Sequence, residues 1–502
     1  MISSFNFKAK ICITFLLALS TFCYAQTIGV FDGSSDVGKV LHAGKASYNE
    51  KDQSYTLNGS GSNIWNNHDE FQFAWKKMKG DFILQARGTL IGKGTEAHRK
   101  FGWMIRTSLD TSSAMACAAL HGNGLTSLQF RKTSGANVEQ DTFLIRSPDI
   151  MELERRGKQF IMSVAHNGET YITKTVSDID LGDEVYVGLY ICAHNKDVME
   201  TATFDNVRVI VPAKADFVPY HDYIGSHIET MDVTSGHREI IYSSPKSLQA
   251  PNWLPDNKSL IYNSEGLIYQ LDFKKKEPVV LNTDSVKSNN NDHVLSFDGT
   301  MLGLSSKTGP YNSLVYTVPF PGGVPKRITD VGPSYLHGWS PDKKFLVYTA
   351  ERGDGNFDIY KVSSSRGKEI RLTTAAGLDD GPEFSRDGKY IYFNSARTGT
   401  MQIWRMNSDG TDQVQLTSDE FNNWFPHVSP DGKWIVFLSF SKDVKPDDHP
   451  FYKHVYIRLM PVGNGQPKVI AYVYGGQGTI NTPSWSPDSK KIAFVSNTQI
   501  NQ

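Results

Sequence analysis

Between about Thr27 and Val211, apolar and polar residues alternate in short runs such as FILQARGTLI, KFGWMIRTSL and DEVYVGLYICAHN, with Gly, Asn and Asp between them. A period of two over such lengths predicts strands with one buried face. Only MELERRGKQF carries a weak helical period, so residues 26–212 are expected to form an all-β sandwich. Within it, Asn167-Gly168 in HNGETY predicts a tight hairpin turn, because both residues tolerate positive backbone dihedrals.

After a linker at 213–219, within VPAKADFVPYHDY, the pattern becomes a repeat over residues 220–502. Its anchor is the aspartate of a Ser-Pro-Asp-Gly-like turn: Asp256, Asp298, Asp342, Asp387, Asp431 and Asp488, spaced 42, 44, 45, 44 and 57 residues apart. Four strand-like runs per 40–45 residues predict the blades of a β-propeller, and six anchors predict six blades. Too little chain follows Asp488 to finish the last blade. The early segment SHIETMDVTSGHREIIY has the missing strand pattern, so it is expected to complete that blade and close the ring.

Two resemblances follow from these residues. DEFQFAWKKMKGDFILQARG, GWMIR, HGNGLTSLQFR and VGLYICAHN with ATFDNVRV together resemble the concanavalin A-like lectin/glucanase jelly roll. That likeness implies carbohydrate binding, with Trp65, Trp75 and Trp103 as stacking candidates and Arg106, His121 and Arg131 as polar partners; the alternative is that the tryptophans fill the core. No E-x-D-x-E run occurs in residues 27–211, which argues against glycoside hydrolysis by this region. WSPDKKFLVYTA, IWRMNSDGTDQVQLT and SPDGKWIVFLS resemble the TolB-like, WD-repeat-like propeller of the periplasm. Such propellers serve as protein-binding platforms and as enzyme scaffolds, so the fold does not choose an activity.

The first 25 residues pair two lysines with the apolar run Ile11–Leu19 and end in Ala25, the pattern of a cleavable signal peptide. A periplasmic or secreted location is therefore expected, with an outer-membrane lipoprotein attached through Cys23 as the alternative. The chain has 52 basic and 53 acidic residues, a balance that excludes a field for nucleic acid; no later apolar run is long enough for a membrane span. Cys117 and Cys192 are left after cleavage, as a disulfide or as two buried small side chains.

Functional side chains are expected at the propeller mouth, on residues entering each first strand and on the loops between second and third strands. Counting back five from the repeat aspartate gives Pro251, His293, His337, Pro382, Pro426 and Pro483; counting back four gives Asn252, Val294, Gly338, Glu383, His427 and Ser484. Four successive blades thus offer His293, His337, Glu383 and His427, donors suited to a divalent metal such as zinc, manganese or calcium, or to acid–base work. The alternative is that these side chains hydrogen-bond between blades and plug the channel. Asp292, Asp379, Asp380, Asn423, Trp424 and Asn481 are further mouth candidates. Blade five is about 13 residues longer than its neighbours, and the excess in SKDVKPDDHPFYKHVYIRL predicts a loop over the mouth carrying Asp447, Asp448, His449, Tyr452, Lys453 and His454. The seven-bladed oligogalacturonate lyase propeller uses a histidine-held metal in such a place, but its motif does not match here residue by residue. The resulting expectation is an exported protein that binds a polysaccharide, oligosaccharide or envelope protein partner. Its alternative is a metal-dependent polysaccharide lyase or glycoside hydrolase in which His449 or Tyr452 assists.

Overall fold

The computed structural model describes residues 27–463 and 465–500; the expected signal peptide and Cys23 lie outside the described residues. The N-terminal region forms two seven-stranded antiparallel sheets. One runs Gly33–Val37, Phe71–Lys79, Glu184–Cys192, Lys100–Arg106, Met115–His121, Thr126–Arg131, Glu139–Thr142. The other runs Ile172–Val176, Gln159–Ala165, Ile150–Arg156, Phe82–Ile91, Glu200–Ile210, Ser54–Gly59, Lys45–Asn49. Alternation places Leu84, Met151, Leu153 and Val164 of the second sheet in one core with Trp103, Ile105, Ala118 and Leu189 of the first. The first sheet also buries its other face, around Phe71, Phe73, Met104 and Tyr190, which is why Lys100–Arg106 is buried at every position.

Of two local expectations, one fails and one holds in part, for physical reasons. MELERRGKQF is not helical: Ile150–Arg156 and Gln159–Ala165 pair antiparallel around Gly157, because core burial of Met151 and Leu153 overrides the helix preference of Glu, Leu and Arg. HNGETY does turn, the Glu169 amide donating to the His166 carbonyl at 3.1 Å, but only Gly168, at φ +95°, is left-handed. Strand pairing stops at Val164 and Ile172, so the turn tips a longer loop in which Gly168 bridges to Val469 of the propeller. Cys117 and Cys192 are buried free thiols, and burial pushes both up, to about 12 and about 11.

The propeller has six blades. Five are four-stranded, starting at the inner strands Gln249–Trp253, Asn289–Leu295, Ser334–Trp339, Asp379–Phe384 and Asn422–Val428. In the sixth, Trp485 bridges to Ile492, Lys491–Asn497 pairs with Ser226–Asp232, and that strand pairs with Arg238–Ser244. The repeat turn explains itself. In blades two to six the serine Oγ two residues before the aspartate donates to its Oδ1 at 2.6–2.7 Å and accepts the amide five residues on. The residue after the aspartate is left-handed in every blade, as glycine at 299, 388 and 432 and as Asn257, Lys343 and Ser489 elsewhere. Blades are stapled by tryptophans three before the aspartate: Trp339 Nε1 donates to the Val294 carbonyl and Trp485 Nε1 to that of His427, each at 2.9 Å.

The outer face of the second sheet lies against blades five and six. Ile83 and Ile210 pack with Phe451, Tyr452 and Tyr474, and Ile150 with Val469 and Tyr472. Glu229 sits between Arg208 of the sandwich (2.5 Å) and Arg238 of the propeller (2.8 Å). Burial alone would raise that carboxyl, but the two guanidinium groups hold it well below the usual carboxylate range. The linker is a strap: Ala213 and Ile224 amides donate to the Tyr474 and Tyr452 hydroxyls.

Candidate functional site at the propeller mouth

The mouth holds a cavity of about 1010 Å³, roofed partly by the blade five insertion at Pro446, Asp447 and His449 and by Tyr220 of the strap. Its floor comes from inner-strand positions six and seven before the repeat aspartate, among them Asn291, Asp292, Tyr335, Asp380, Phe425 and Asn481. None of the lining residues is Lys or Arg.

His337 is the centre of its polar network. Its Nε2 lies 3.2 Å from Asp380 Oδ1, its ring stacks on Phe425 with centroids 5.9 Å apart, and its Nδ1 is buried without a hydrogen bond. Asp380 Oδ1 also accepts from Thr349 Oγ1 (2.6 Å) and the Gly381 amide (2.7 Å). The two carboxyls of this network are driven in opposite directions. Burial pushes Asp292 up to about 6, against the pull of His337. Burial would also raise Asp380, but its hydrogen bond and charge pairing with His337 hold it at about 2. Burial lowers His337 while Asp292 and Asp380 raise it, and the net shift is upward. His449 closes the cavity from the insertion; burial lowers its pKa, and its Nδ1 also lacks a hydrogen bond.

The structure gathers Asp292, His337, Asp380, His449, Asp447 and Asn481 at this cavity, and disperses the rest. Glu383 and His427 lie lower in the channel: Glu383 lines a cavity of about 300 Å³ beside the repeat turns. His427 donates from Nε2 to the Ile480 carbonyl at 2.7 Å and shares a hydrogen bond of 2.6 Å between Nδ1 and Glu383 Oε2, and Glu383 Oε1 accepts the Val428 amide. Asn252, at the same repeat position, likewise donates to the Pro483 carbonyl and accepts the Leu295 amide. In three of the six blades, at Asn252, Glu383 and His427, this position four before the aspartate is a strut between blades. His293 is fully buried, neither ring nitrogen makes a hydrogen bond, and burial lowers it to about 4.

His293, His337, Glu383 and His427 therefore do not form a common metal site. Among the described residues, the one set of three donors within 4.8 Å of one another is Glu152, Glu154 and His454. The reason is a bulge. In five inner strands the register shifts between positions 249/252, 289/293, 336/338, 380/383 and 424/427, so counting by alternation loses phase there. Counting back seven instead gives Gln249, Asn291, Tyr335, Asp380, Trp424 and Asn481, of which Asn291, Tyr335, Asp380 and Asn481 line the mouth. That count would have found Asn291 and Tyr335; nothing in the repeat points to Tyr220.

Other candidates turn elsewhere. Asp379 pairs with Arg397 at 2.8 Å. Asn423 is buried in blade five, donating to Gln402, Thr417 and Asp419, and Trp424 is a core residue beneath His449 with ring centroids 4.5 Å apart. Tyr452 packs against Phe217 of the strap, and His454 faces the sandwich. In the sandwich, Trp103 is core, Trp75 packs on Tyr186, and Arg106 and Arg131 both hold the buried Asp69. His121 Nδ1 donates to the Leu125 carbonyl, and burial lowers it to about 3. Only Trp65 stays exposed among these.

Comparison with known proteins gives concordant results. A family model described as the TolB beta propeller domain matches residues 338–447. An uncharacterised protein of Agrobacterium fabrum is 42% identical over 271 residues, which is 54% of this chain and 92% of that protein. A solved Agrobacterium tumefaciens structure, provisionally assigned to TolB, is 41% identical with TM-score 0.53, covering 56% of this chain and all of that one. The Tol-Pal system protein TolB of Francisella tularensis is 37% identical over 65 residues, 13% of this chain and 14% of its own length.

Proposed function

Because the chain belongs, through its propeller, to the family of TolB-like six-bladed β-propellers, we propose that it is a binding protein whose mouth takes a neutral oligosaccharide. The observation that carries this is the lining of the 1010 Å³ cavity. The unpaired Asn291 amide nitrogen and the carboxylates of Asp292 and Asp380 offer the donors and acceptors that hydroxyl groups require, with Gln477 held in place by Asn481, and half-buried Tyr335 offers a ring face while Phe425 backs His337. A uronate or phosphate would meet the three carboxyl groups of Asp292, Asp380 and Asp447 and no Lys or Arg, so acidic polymers and acidic protein segments are disfavoured.

The two seven-stranded sheets are compatible with a concanavalin A-like sandwich, and export by the N-terminal segment would bring the protein to envelope glycans. In this reading the sandwich serves chiefly to position the propeller, since most of its sugar-contact candidates are engaged internally.

A second reading, acid–base cleavage of a glycosidic bond at the same cavity, is favoured by one observation. Asp292 at about 6 and Asp380 at about 2 form the kind of divided carboxyl pair that supplies a proton donor and an ionised partner. The test is calorimetric titration with neutral and acidic oligosaccharides, with new reducing ends assayed alongside. Binding of a neutral sugar, weakened at least tenfold in Tyr335→Ala, is expected. Binding of acidic sugars alone would refute the proposal, and new reducing ends that vanish in Asp292→Asn would favour the second reading.

A further inference from the structure

We propose that Glu152, Glu154 and His454 form a divalent-cation site, of zinc or manganese type, that fastens the sandwich to blade five. Strand alternation creates half of it: Met151 and Leu153 enter the sandwich core, so Glu152 and Glu154 project together from the opposite face, toward the propeller. His454, second residue of Lys453–Pro461, supplies the other half from the next domain. Its Nε2 stands 3.4 Å from Glu152 Oε1 and 3.7 Å from Glu154 Oε2. Donors about 2.1 Å from a tetrahedral ion stand roughly 3.4 Å apart, so the spacing suits one ion shared by all three. Two carboxylates and one imidazole are also the donor mixture that zinc and manganese accept.

A second observation points to a missing partner. The Nε2 of His454, on a side chain 35% exposed, is itself buried and stands at ion-pair distance from two carboxylates 2% and 6% exposed, yet meets hydrogen-bond geometry with neither. Three donors that face one another at this spacing without bonding leave room for a cation between them. The surroundings hold the ligands in place: Gln85 Nε2 donates to Glu152 Oε2 at 2.6 Å, leaving Oε1 free to face the histidine. Arg156 binds Glu154 and opposes a cation, but its side chain is more than half exposed and can turn outward, while no Lys or Arg pairs with Glu152 among the described residues.

The experiment uses the full chain, stripped with EDTA and titrated with Zn²⁺ or Mn²⁺ alone, with bound metal counted by mass spectrometry and thermal unfolding followed. Wild type is expected to bind one equivalent at micromolar affinity or tighter and to gain thermal stability. Glu152→Gln and His454→Gln are expected to weaken binding at least tenfold and to lose that gain, while His337→Ala in the mouth keeps both. No bound metal in wild type, or unchanged affinity in both variants, overturns the proposal. Should the variants fail to fold, X-ray absorption on zinc-loaded wild type decides: one imidazole with oxygen ligands supports the site, and thiolate or several imidazoles refute it.

Discussion

Replacing Asp292 by asparagine should stabilise the protein while damaging the mouth. Asp292 is 5% exposed, and its carboxyl is raised from 3.8 to about 6, chiefly by burial. A group whose folded pKa lies above its unfolded value contributes stability that is fully present below about pH 4 and lost as pH rises through about 6. The displacement corresponds to roughly 3 kcal/mol at about 1.36 kcal/mol per pH unit. The raised value already contains the opposing pull of His337, so the variant's gain at neutral pH is about 2–3 kcal/mol. Urea unfolding of Asp292→Asn and wild type, followed by tryptophan fluorescence, should therefore agree near pH 4 and diverge by about 2–3 kcal/mol at pH 7.5. At about 2–4 °C per kcal/mol for a domain of this size, the variant should melt about 5 °C higher at pH 7.5. A difference that is independent of pH, or a variant less stable at pH 7.5, would show that the carboxyl is not held uncharged by its site. Gain of stability with loss of ligand is the signature of a strained functional group.

Two further outcomes test the structural assignments. Asp69→Asn removes the one anion between Arg106 and Arg131, which are fully buried, so the sandwich should lose about 3–5 kcal/mol in urea unfolding, and a loss below about 1 kcal/mol would mean the triad is wrongly drawn. His427→Ala leaves Glu383 buried without its partner and should cost roughly 3 kcal/mol, yet change saccharide affinity at the mouth less than twofold by calorimetric titration; a lost affinity at unchanged stability would return His427 to the binding site.

How far the sequence could be read depends on which residue carries the information. The repeat aspartates are locally satisfied, by a serine two residues before and by the amides that follow, so they mark blades without any knowledge of the whole. The completion of blade six by SHIETMDVTSGHREIIY was legible because an unpaired strand has no stable alternative. The length of the blade five insertion led correctly to the mouth, through Asp447 and His449. What failed was phase and partnership. The inner-strand bulge sends Glu383 and His427 into the channel and leaves Asp292 and Asp380 at the mouth, and no residue type signals that shift. Arg106 and Arg131 looked like surface sugar contacts because Asp69, their common partner, lies 37 and 62 residues away. Tyr452 and His454 belong to a seam between domains, and alternation within one domain says nothing about which face the other will cover.

The pairing of Ser226–Asp232 with Lys491–Asn497 ties the propeller's first strand to almost its last residues. A chain that emerges from its N-terminus therefore presents five blades before the ring can lock. Until the final segment emerges, Ser226–Asp232 lacks its partner strand and blade five lacks the blade that packs on it. Closure of the ring thus waits for Lys491–Asn497 to become available. It also means that loss of a few C-terminal residues would be felt at the start of the propeller, at the seam with the sandwich, and not at the end where the damage lies.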